Sequence, residues 1–334
     1  MDHDRTMLCG RRIAHHRALS ILQFFLFVDF SFVVIRRRRI LSAANREKSA
    51  EPETITMDRQ LDREAEGLRE RLPWARVVAD AGACDHIVQL YQDPDFLNHA
   101  VSRFAGAALA NGEGIILVPT LSHWNAIRPR LEAEGVDVQA ARERGQLTVV
   151  DADELLPQFM RNAMPDSSIF LGLAGDIIGQ ARAAGRYHKV RWWGEMVNVL
   201  WERGDVAASM NLEDLFDQLA RNHDIAIFCS FLMDNFDGEV HAHMLPRLGT
   251  NHSHLIPVED YARLERAVAD ALQEMVGASE ALTLEKRLLS DYQQPFNMPR
   301  AQALLLALRQ VIPALADPVL QRSRRLYAVS GGAR

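Results

Sequence analysis

Four histidines lie close together in the sequence VHAHMLPRLGTNHSHLIP, at a spacing that suits metal binding. They form two His-x-His pairs, which are His241 with His243 and His252 with His254. On a strand, this spacing places both imidazoles of a pair on one side, where zinc or another transition metal can bind. None of the familiar zinc-hydrolase spacings is present, so the simpler interpretation is histidines in a loop and at a strand end. Metal binding by the four histidines is the alternative.

The sequence VRWWGEMVNVLW contains a second group of residues that could do chemistry. On a strand, Arg191, Trp193 and Glu195 point the same way, and the strand's carboxyl end is where open α/β sheets bind ligands. One interpretation is a pocket with an aromatic wall and a polar Arg191–Glu195 pair. The other is a buried Arg–Glu pair that holds the fold, with the tryptophans in the core.

A strand-to-helix corner in HIVQLYQDPDFLNHAV differs from a phosphate-binding loop. Such loops use clustered backbone N–H donors and usually a lysine, whereas Pro94 lacks a donor and Asp93 and Asp95 add negative charge. Asp93 predicts a helix N-cap, Pro94 a first helical residue, and Asp95 a favourable interaction with the helix dipole. The motifs GxxxxGKS/T and GxGxxG are absent from the sequence, so nucleotide binding at this corner is not expected.

Nucleophilic catalysis has weaker support. Cys229 lies within the apolar run IAIFCSF, where a thiol usually acts as a small hydrophobic side chain, and the sequence has no GxSxG motif. His123 follows a strand and a serine in TLSHW. It could line a pocket, although a histidine there is also typical of a helix start.

The elements that must position these residues alternate between strands and helices. Strands are predicted at 86–91, 114–120, 145–152, 189–196, 225–231 and 252–257. Helical patterns lie between them, at 95–110, 121–134, 153–163, 166–184, 195–203 and 211–222, and a further helix follows at 258–276. Several strands are apolar throughout, which indicates a parallel sheet covered on both faces. The predicted fold is a three-layer α/β sandwich with a mostly parallel sheet.

After Gly277 only helical patterns remain, at 279–291, 298–314 and 317–329. This small α-helical C-terminal region could pair with a partner protein or form a homodimer with a second copy. The chain therefore divides into an extension at 1–57, a lead-in helix at 58–84, the α/β domain at 85–277 and the tail at 278–334.

Charge and cysteine content exclude some classes of protein. The net charge is −6, but residues 1–57 hold ten Lys/Arg against six Asp/Glu, while the remainder holds 28 against 38. An acidic body argues against direct nucleic-acid binding, which needs clustered basic side chains. Three widely spaced cysteines predict reduced thiols and a cytoplasmic protein rather than a disulfide framework.

The most apolar run of the chain is residues 18–35, flanked by arginines on both sides. Its 18 residues are at the lower limit for crossing a bilayer, and Asp29 lies within it. It is either a membrane anchor or an upstream extension that is not part of the working protein. We favour the second interpretation, because a polar, amphipathic segment typical of the beginning of a soluble domain starts at Met57.

Six segments in order resemble the MEDS sensory domain, named for methanogens, methylotrophs and the regulator DcmR. The first segment begins at HIVQLYQDPDFLNHAV, and the others are GQLTVVDADELLPQFM, VRWWGEMVNVLW, NLEDLF, FCSF and NHSHLIP. The resemblance covers about residues 86–275. It implies a relative of RecA-like ATPases with a degenerate phosphate loop. The family is found in signalling proteins and transcription regulators, and it has been proposed to sense small molecules such as hydrocarbon derivatives.

The resemblance also indicates which polar residues match those of the family and are candidates for ligand binding. The matching residues are His86, Tyr91, Asp151, Asp153, Arg191, Glu195, Glu213, Cys229 and His252. The segments FCSF and HSH depart from the family pattern, which places the ligand assignment at this end in question. With the pocket candidates added, the predicted ligand-binding residues are His86, Tyr91, His123, Asp151, Arg191, Trp193, Glu195 and His252.

The function expected from the sequence is a non-enzymatic sensory module in bacterial signal transduction or transcription control. It would need no cofactor, bind an unidentified small molecule, and act on a signalling partner such as a kinase or regulator. Two enzymes are the alternatives: a metal-dependent hydrolase using His241, His243, His252 and His254, or a degenerate nucleotide-binding ATPase.

Overall fold

A computed structural model of the chain describes residues 73–185 and 187–329. The described residues form one compact unit. The predictions for residues 1–57, including the anchor at 18–35, and for the first part of the lead-in helix lie outside the described residues. Within the described part, no helix combines the length and the apolar character needed to span a bilayer.

Six parallel strands form the central sheet. In chain order they are β1 (His86–Tyr91), β2 (Gly114–Val118), β3 (Leu147–Val149), β6 (Val190–Gly194), β7 (Ala226–Leu232) and β8 (His254–Ile256), and a short separate hairpin supplies β4 (Met160–Arg161) and β5 (Met164–Pro165). The order across the sheet is β3-β2-β6-β7-β1-β8, and every neighbouring pair is parallel. All six predicted strands are confirmed, and the hairpin interrupts a stretch expected to be helical.

Helices cover both faces, as expected for strands that are buried on both sides. One face is covered by α1 (Pro73–Ala79), α2 (Pro94–Ala110), α3 (Leu121–Ala133) and α4 (Val138–Glu143). The other is covered by α5 (Ala152–Phe159), α6 (Ser167–Gly185), α7 (Met196–Glu202) and α8 (Val206–His223). The predicted three-layer α/β sandwich is therefore confirmed.

The corner after β1 has the predicted helix cap. The Asp93 side chain accepts a hydrogen bond from the backbone N–H of Asp95, Pro94 begins α2, and Asp95 forms an ion pair with Arg130 at 2.5 Å. The free N–H groups of the helix start are thus partly satisfied within the chain.

We expect Asp93→Ala to lower the free energy of unfolding by about 1 kcal/mol, because the α2 N-terminus loses its cap. Urea unfolding measures this difference. Asp93→Asn is the matched control, since asparagine caps nearly as well as aspartate. Equal losses in the two variants would show that the cap is not the source of the stability.

The C-terminal region packs on the sheet domain. A π-helix (Val240–Met244) and α9 (Leu245–Leu248) precede β8, and the chain continues through α10 (Tyr261–Val276), α11 (Ala278–Asp291), α12 (Arg300–Val311) and α13 (Pro313–Val329). An extended stretch between α11 and α12 lies beside β8, where Asn297 exchanges backbone hydrogen bonds with Ser253 and Leu255. Phe296 belongs to the same buried cluster as the sheet core.

Candidate functional site

The predicted ligand-binding residues lie in three separate places. Tyr91, His123, Asp151 and Glu195 lie at or just beyond the carboxyl ends of the strands. His86 and His252 lie at the amino ends of β1 and β8. Arg191 and Trp193 are buried within β6.

Glu195 and His123 meet at the carboxyl edge of the sheet. The buried Glu195 carboxylate accepts from the backbone N–H of Thr120 and forms a short contact with Nδ1 of His123. The hydrogen bond to Glu195 raises the pKa of His123, against the opposing effect of burial. A protonated His123 therefore compensates the buried carboxylate.

The His123–Glu195 contact makes stability depend on pH. Because its pKa is higher in the folded state, His123 contributes stability that is complete below its unfolded pKa of about 6.5 and is lost as pH rises through the folded pKa. We expect His123→Gln to cost about 1 kcal/mol near pH 5 and progressively less above neutrality. Urea unfolding from pH 5 to above neutrality measures this pH dependence, and His188→Gln, at an exposed histidine, is the control. A loss that does not change with pH would contradict the assignment.

Two other carboxyl-edge residues make local contacts. The Tyr91 hydroxyl accepts a hydrogen bond from Nδ2 of Asn198 at 3.1 Å, and burial, followed by Glu195 and Glu202, raises the pKa of Tyr91 well above its ordinary value. Tyr91 is therefore a neutral phenol at the end of β1. Asp151 caps α5 by accepting from two backbone N–H groups.

Arg191 does not form the polar pair with Glu195 that the strand alternation indicated. Its Nε lies 2.5 Å from Oε2 of Glu113, and its Nη1 donates to the carbonyls of Val78 and Ala79 at the end of α1. The reason is position along the strand, because Arg191 is near the amino end of β6 and Glu195 lies beyond its carboxyl end. Arg191 is in a buried Arg–Glu pair within the fold, but its partner is Glu113 and not the expected Glu195.

Trp193 is a core residue. Its side chain is fully buried, and its indole N–H donates to the hydroxyl of Ser230 on β7 at 3.2 Å. The expected aromatic wall of a pocket is therefore part of the packing between β6, β7 and α2.

The four histidines of the VHAHMLPRLGTNHSHLIP segment do not form one cluster. His241 and His243 lie on the π-helix and not on a strand, so His241 is 1% exposed while the side chain of His243 is 72% exposed. Nε2 of His241 is 2.7 Å from the carbonyl of Asn235, and His254 contacts Ser253 and Asn297. The predicted metal set of His241, His243, His252 and His254 is thus not assembled, and of these four only His252 belongs to a group of three or more potential metal ligands among the described residues.

A different set of metal-type donors meets beneath α8. Their potential ligand atoms lie within 4.8 Å of one another, and all four residues are buried: His86, Glu213, Cys229 and His252. Nε2 of His86 lies 3.3 Å from Sγ of Cys229 and 3.3 Å from Oε2 of Glu213. Nε2 of His252 lies 3.2 Å from the same carboxylate oxygen.

Backbone carbonyls fix the orientation of both imidazoles. Nδ1 of His86 is 3.1 Å from the carbonyl of Asn251, and Nδ1 of His252 is 2.8 Å from the carbonyl of Leu248. The two rings lie 3.9 Å apart between centroids. Asp214, beside Glu213 on α8, binds Arg247 and Asn251, which holds the loop containing His252 against the helix.

Burial and charge shift the titration of this cluster. Burial lowers the pKa of His86 to about 4, with His252 acting in the same direction. Burial alone would raise the pKa of Glu213, but His252 and His86 outweigh it and hold that pKa at about 2. Burial, followed by Glu213, raises the pKa of Cys229 well above its ordinary value. The cluster is therefore a carboxylate and a thiol facing two imidazoles.

Sequence reasoning selected only half of this cluster as ligand-binding residues. Glu213 lies on a helix, Cys229 lies in an apolar strand, and 143 residues separate His86 from Cys229. Periodicity could not connect them, because the contacts depend on β1 pairing with β7 and on the docking of α8. The resemblance to a known family was the signal that grouped Glu213 and Cys229 with His86 and His252.

A cavity of about 290 Å³ opens at the carboxyl ends of β1 and β7. The β1 side contributes Tyr91 and Asp93, and the segment after β7 contributes Asp234 and Phe236. The far wall comes from α10 and α13, and its polar members are Arg263, Arg324 and Tyr327. The volume lies near the lower end of the range for small-molecule sites.

Residues 85–246 match the family model described as MEDS, the methanogen/methylotroph, DcmR sensory domain. Among curated proteins, none matches the chain. The matched range contains β1 to β7 and the corner that lines the cavity, whereas α10 to α13 lie beyond it. Residues 85–246 of the chain are therefore similar to the MEDS family of sensory domains.

Proposed function

We propose that the domain is a non-enzymatic sensor that binds a small amphipathic molecule in the 290 Å³ cavity and uses α13 as its moving part. The observation that carries this proposal is the division of the cavity wall. Tyr91, Asp93 and Asp234 come from the MEDS domain, and Arg324 and Tyr327 come from the C-terminal helix outside the matched range. A molecule in this cavity therefore interacts with both parts of the chain.

Two contacts hold α13 over the cavity. Nη2 of Arg324 lies 2.6 Å from Oδ2 of Asp234, and the guanidinium of Arg263 stacks on the Tyr327 ring at 3.9 Å. The Tyr327 ring also packs against Phe236, with centroids 5.3 Å apart. The Arg324–Asp234 pair is partly exposed, so its net contribution is small and a ligand can replace it.

The lining defines the class of ligand. Leu90, Phe96, Met233 and Val258 supply apolar surface, and Arg263 on α10, which stays in place when α13 moves, supplies hydrogen-bond donors. A short aliphatic molecule with one oxygen-containing group, most favourably a carboxylate, matches both features. The α13 helix is either over the cavity or displaced from it. Ligand binding shifts the equilibrium between these two states by as much as the ligand's affinities for them differ.

The output is contact with another protein. When α13 leaves the cavity wall, its apolar face becomes available to a signalling partner such as a kinase or a regulator, or to a second copy of the chain. The buried face of α13 includes Ala316, Val319 and Leu320.

Thermal unfolding of the purified chain tests the cavity, with butanol, butyraldehyde and butyrate as probes. We expect at least one of them, butyrate first, to raise the Tm by about 2 to 4 °C at concentrations well above its Kd. Ala328→Trp, which places a large side chain at the cavity wall, is expected to remove the shift. Ala314→Trp, at an exposed position of the same helix outside the lining, is the control. No shift with any of the three probes, or equal shifts in both variants, would count against the cavity.

A further inference from the structure

The buried cluster beneath α8 is separate from the proposed ligand cavity, since no residue belongs to both. We propose that His86, Glu213, Cys229 and His252 bind one divalent transition-metal ion, with Zn²⁺ as the expected occupant. The set offers two imidazole nitrogens, one sulfur and one carboxylate oxygen. Zinc binds all three donor types in tetrahedral sites.

Three of the six distances between the donor atoms are close to those of a tetrahedral site, and all six are within 4.8 Å. Zinc bonds of about 2.0 to 2.3 Å at tetrahedral angles place neighbouring donor atoms about 3.3 to 3.6 Å apart. The three measured separations are 3.3 Å from His86 to Cys229, 3.3 Å from His86 to Glu213, and 3.2 Å from His252 to Glu213. An ion at the centre of the cluster would bring the remaining donor atoms closer together.

The histidines are oriented as metal ligands commonly are. Each Nδ1–H can donate to a backbone carbonyl, that of Asn251 for His86 and that of Leu248 for His252. In this tautomer each Nε2 directs a lone pair into the cluster. A carbonyl that fixes the non-ligating nitrogen is the usual outer partner of a histidine bound to a metal.

The carboxylate of Glu213 also lacks an adequate partner. Both of its oxygens and Nε2 of His252 are buried without a hydrogen bond of acceptable geometry. An ionised carboxylate in such a position costs several kcal/mol unless a charge compensates it. A divalent cation compensates both this carboxylate and a Cys229 thiolate, so that the occupied site is neutral. Binding would release the Cys229 proton to solvent, as metal binding to a thiol requires.

The alternative is an ion pair between Glu213 and a protonated His252, with no metal. In that arrangement the Cys229 thiol donates to Nε2 of His86, and the carboxylate has a compensating charge, but both of its oxygens remain without a hydrogen bond of acceptable geometry. The proposed site has four protein donors and is closed, which is the pattern of a structural ion. It would connect β1, α8, β7 and the loop before β8, and so stabilise the sensory domain.

The test is elemental analysis and cobalt spectroscopy on the purified full chain. We expect about one equivalent of zinc per chain, and on replacement by Co²⁺ a thiolate-to-cobalt charge-transfer absorption in the near ultraviolet. Cys229→Ser and Glu213→Gln change few atoms, and we expect each to reduce metal content to a small fraction of one equivalent. Circular dichroism of these variants verifies that they fold.

Matched controls come from residues of the same types outside the cluster. Cys84→Ser and His243→Ala are expected to retain both the metal and the cobalt absorption. If neither zinc nor cobalt binds to the unmodified chain, the buried ion pair is the correct description and the metal site is wrong. Loss of metal in a control variant but not in Cys229→Ser would also overturn it. The unmodified chain gives a decisive result even if a cluster variant fails to fold.

Discussion

Replacement of Arg191 by methionine is expected to lower the free energy of unfolding by about 3 to 5 kcal/mol, because it leaves the Glu113 carboxylate without its partner. The guanidinium is 3% exposed and joins three elements. It pairs with Glu113 between α2 and β2 and donates to Val78 and Ala79 at the end of α1. Denaturant unfolding monitored by circular dichroism measures the loss.

A double-mutant cycle with Glu113→Gln separates the ion pair from the rest of the side chain. We expect Arg191→Met in the Glu113→Gln background to cost less than in the unmodified chain, because no charged carboxylate is then left unpaired. Arg191→Met with nearly normal stability but no butyrate-dependent Tm shift would favour a ligand-binding role for Arg191 instead.

Replacement of Phe296 by alanine is expected to lower the free energy of unfolding by about 3 to 5 kcal/mol, as is usual for a buried phenylalanine. Phe296 is 4% exposed and lies within the core cluster of the sheet domain, although it is outside the family match. The Phe296 ring packs closely against Gly249, because a Cβ added at this glycine would lie 2.8 Å from Cε1 of Phe296. The substitution removes an apolar contact between the extended stretch and the loop before β8.

Limited proteolysis of Phe296→Ala shows whether the C-terminal region is then released. We expect faster cleavage between α11 and α12, where the extended stretch lies beside β8. Leu282→Ala is the control, since that leucine is 64% exposed and its loss costs little. Equal stability and equal cleavage in the two variants would mean that Phe296 does not hold the C-terminal region in place.

Local sequence patterns were sufficient for most of the fold. The apolar run HIVQLY predicted β1 at its observed limits, and Asp93-Pro94-Asp95 predicted the cap of α2. Both features depend on neighbouring residues alone. The hairpin at β4 and β5 was missed because it is very short, and it contains two left-handed residues, Asn162 and Ala163, that the sequence does not mark with a glycine.

The site was less predictable because its contacts join distant segments. Alternation along β6 placed Arg191 and Glu195 on one side, but it could not show that Glu113 and His123 would be their partners. Likewise, the strand interpretation of His241 and His243 failed because those residues lie on a π-helix. Pairing across the sheet and helix docking decide these contacts, and neither is encoded in local spacing.

Hydrogen–deuterium exchange of α13 is the most direct test of the proposed sensor. The purified chain is compared with and without saturating butyrate, and backbone amides of residues 313–329 are followed. We expect slower exchange around the cavity walls at the ends of β1 and β7, and faster exchange in α13 as it leaves the cavity. Binding of butyrate with unchanged or slower exchange in α13 would contradict the claim that this helix carries the signal.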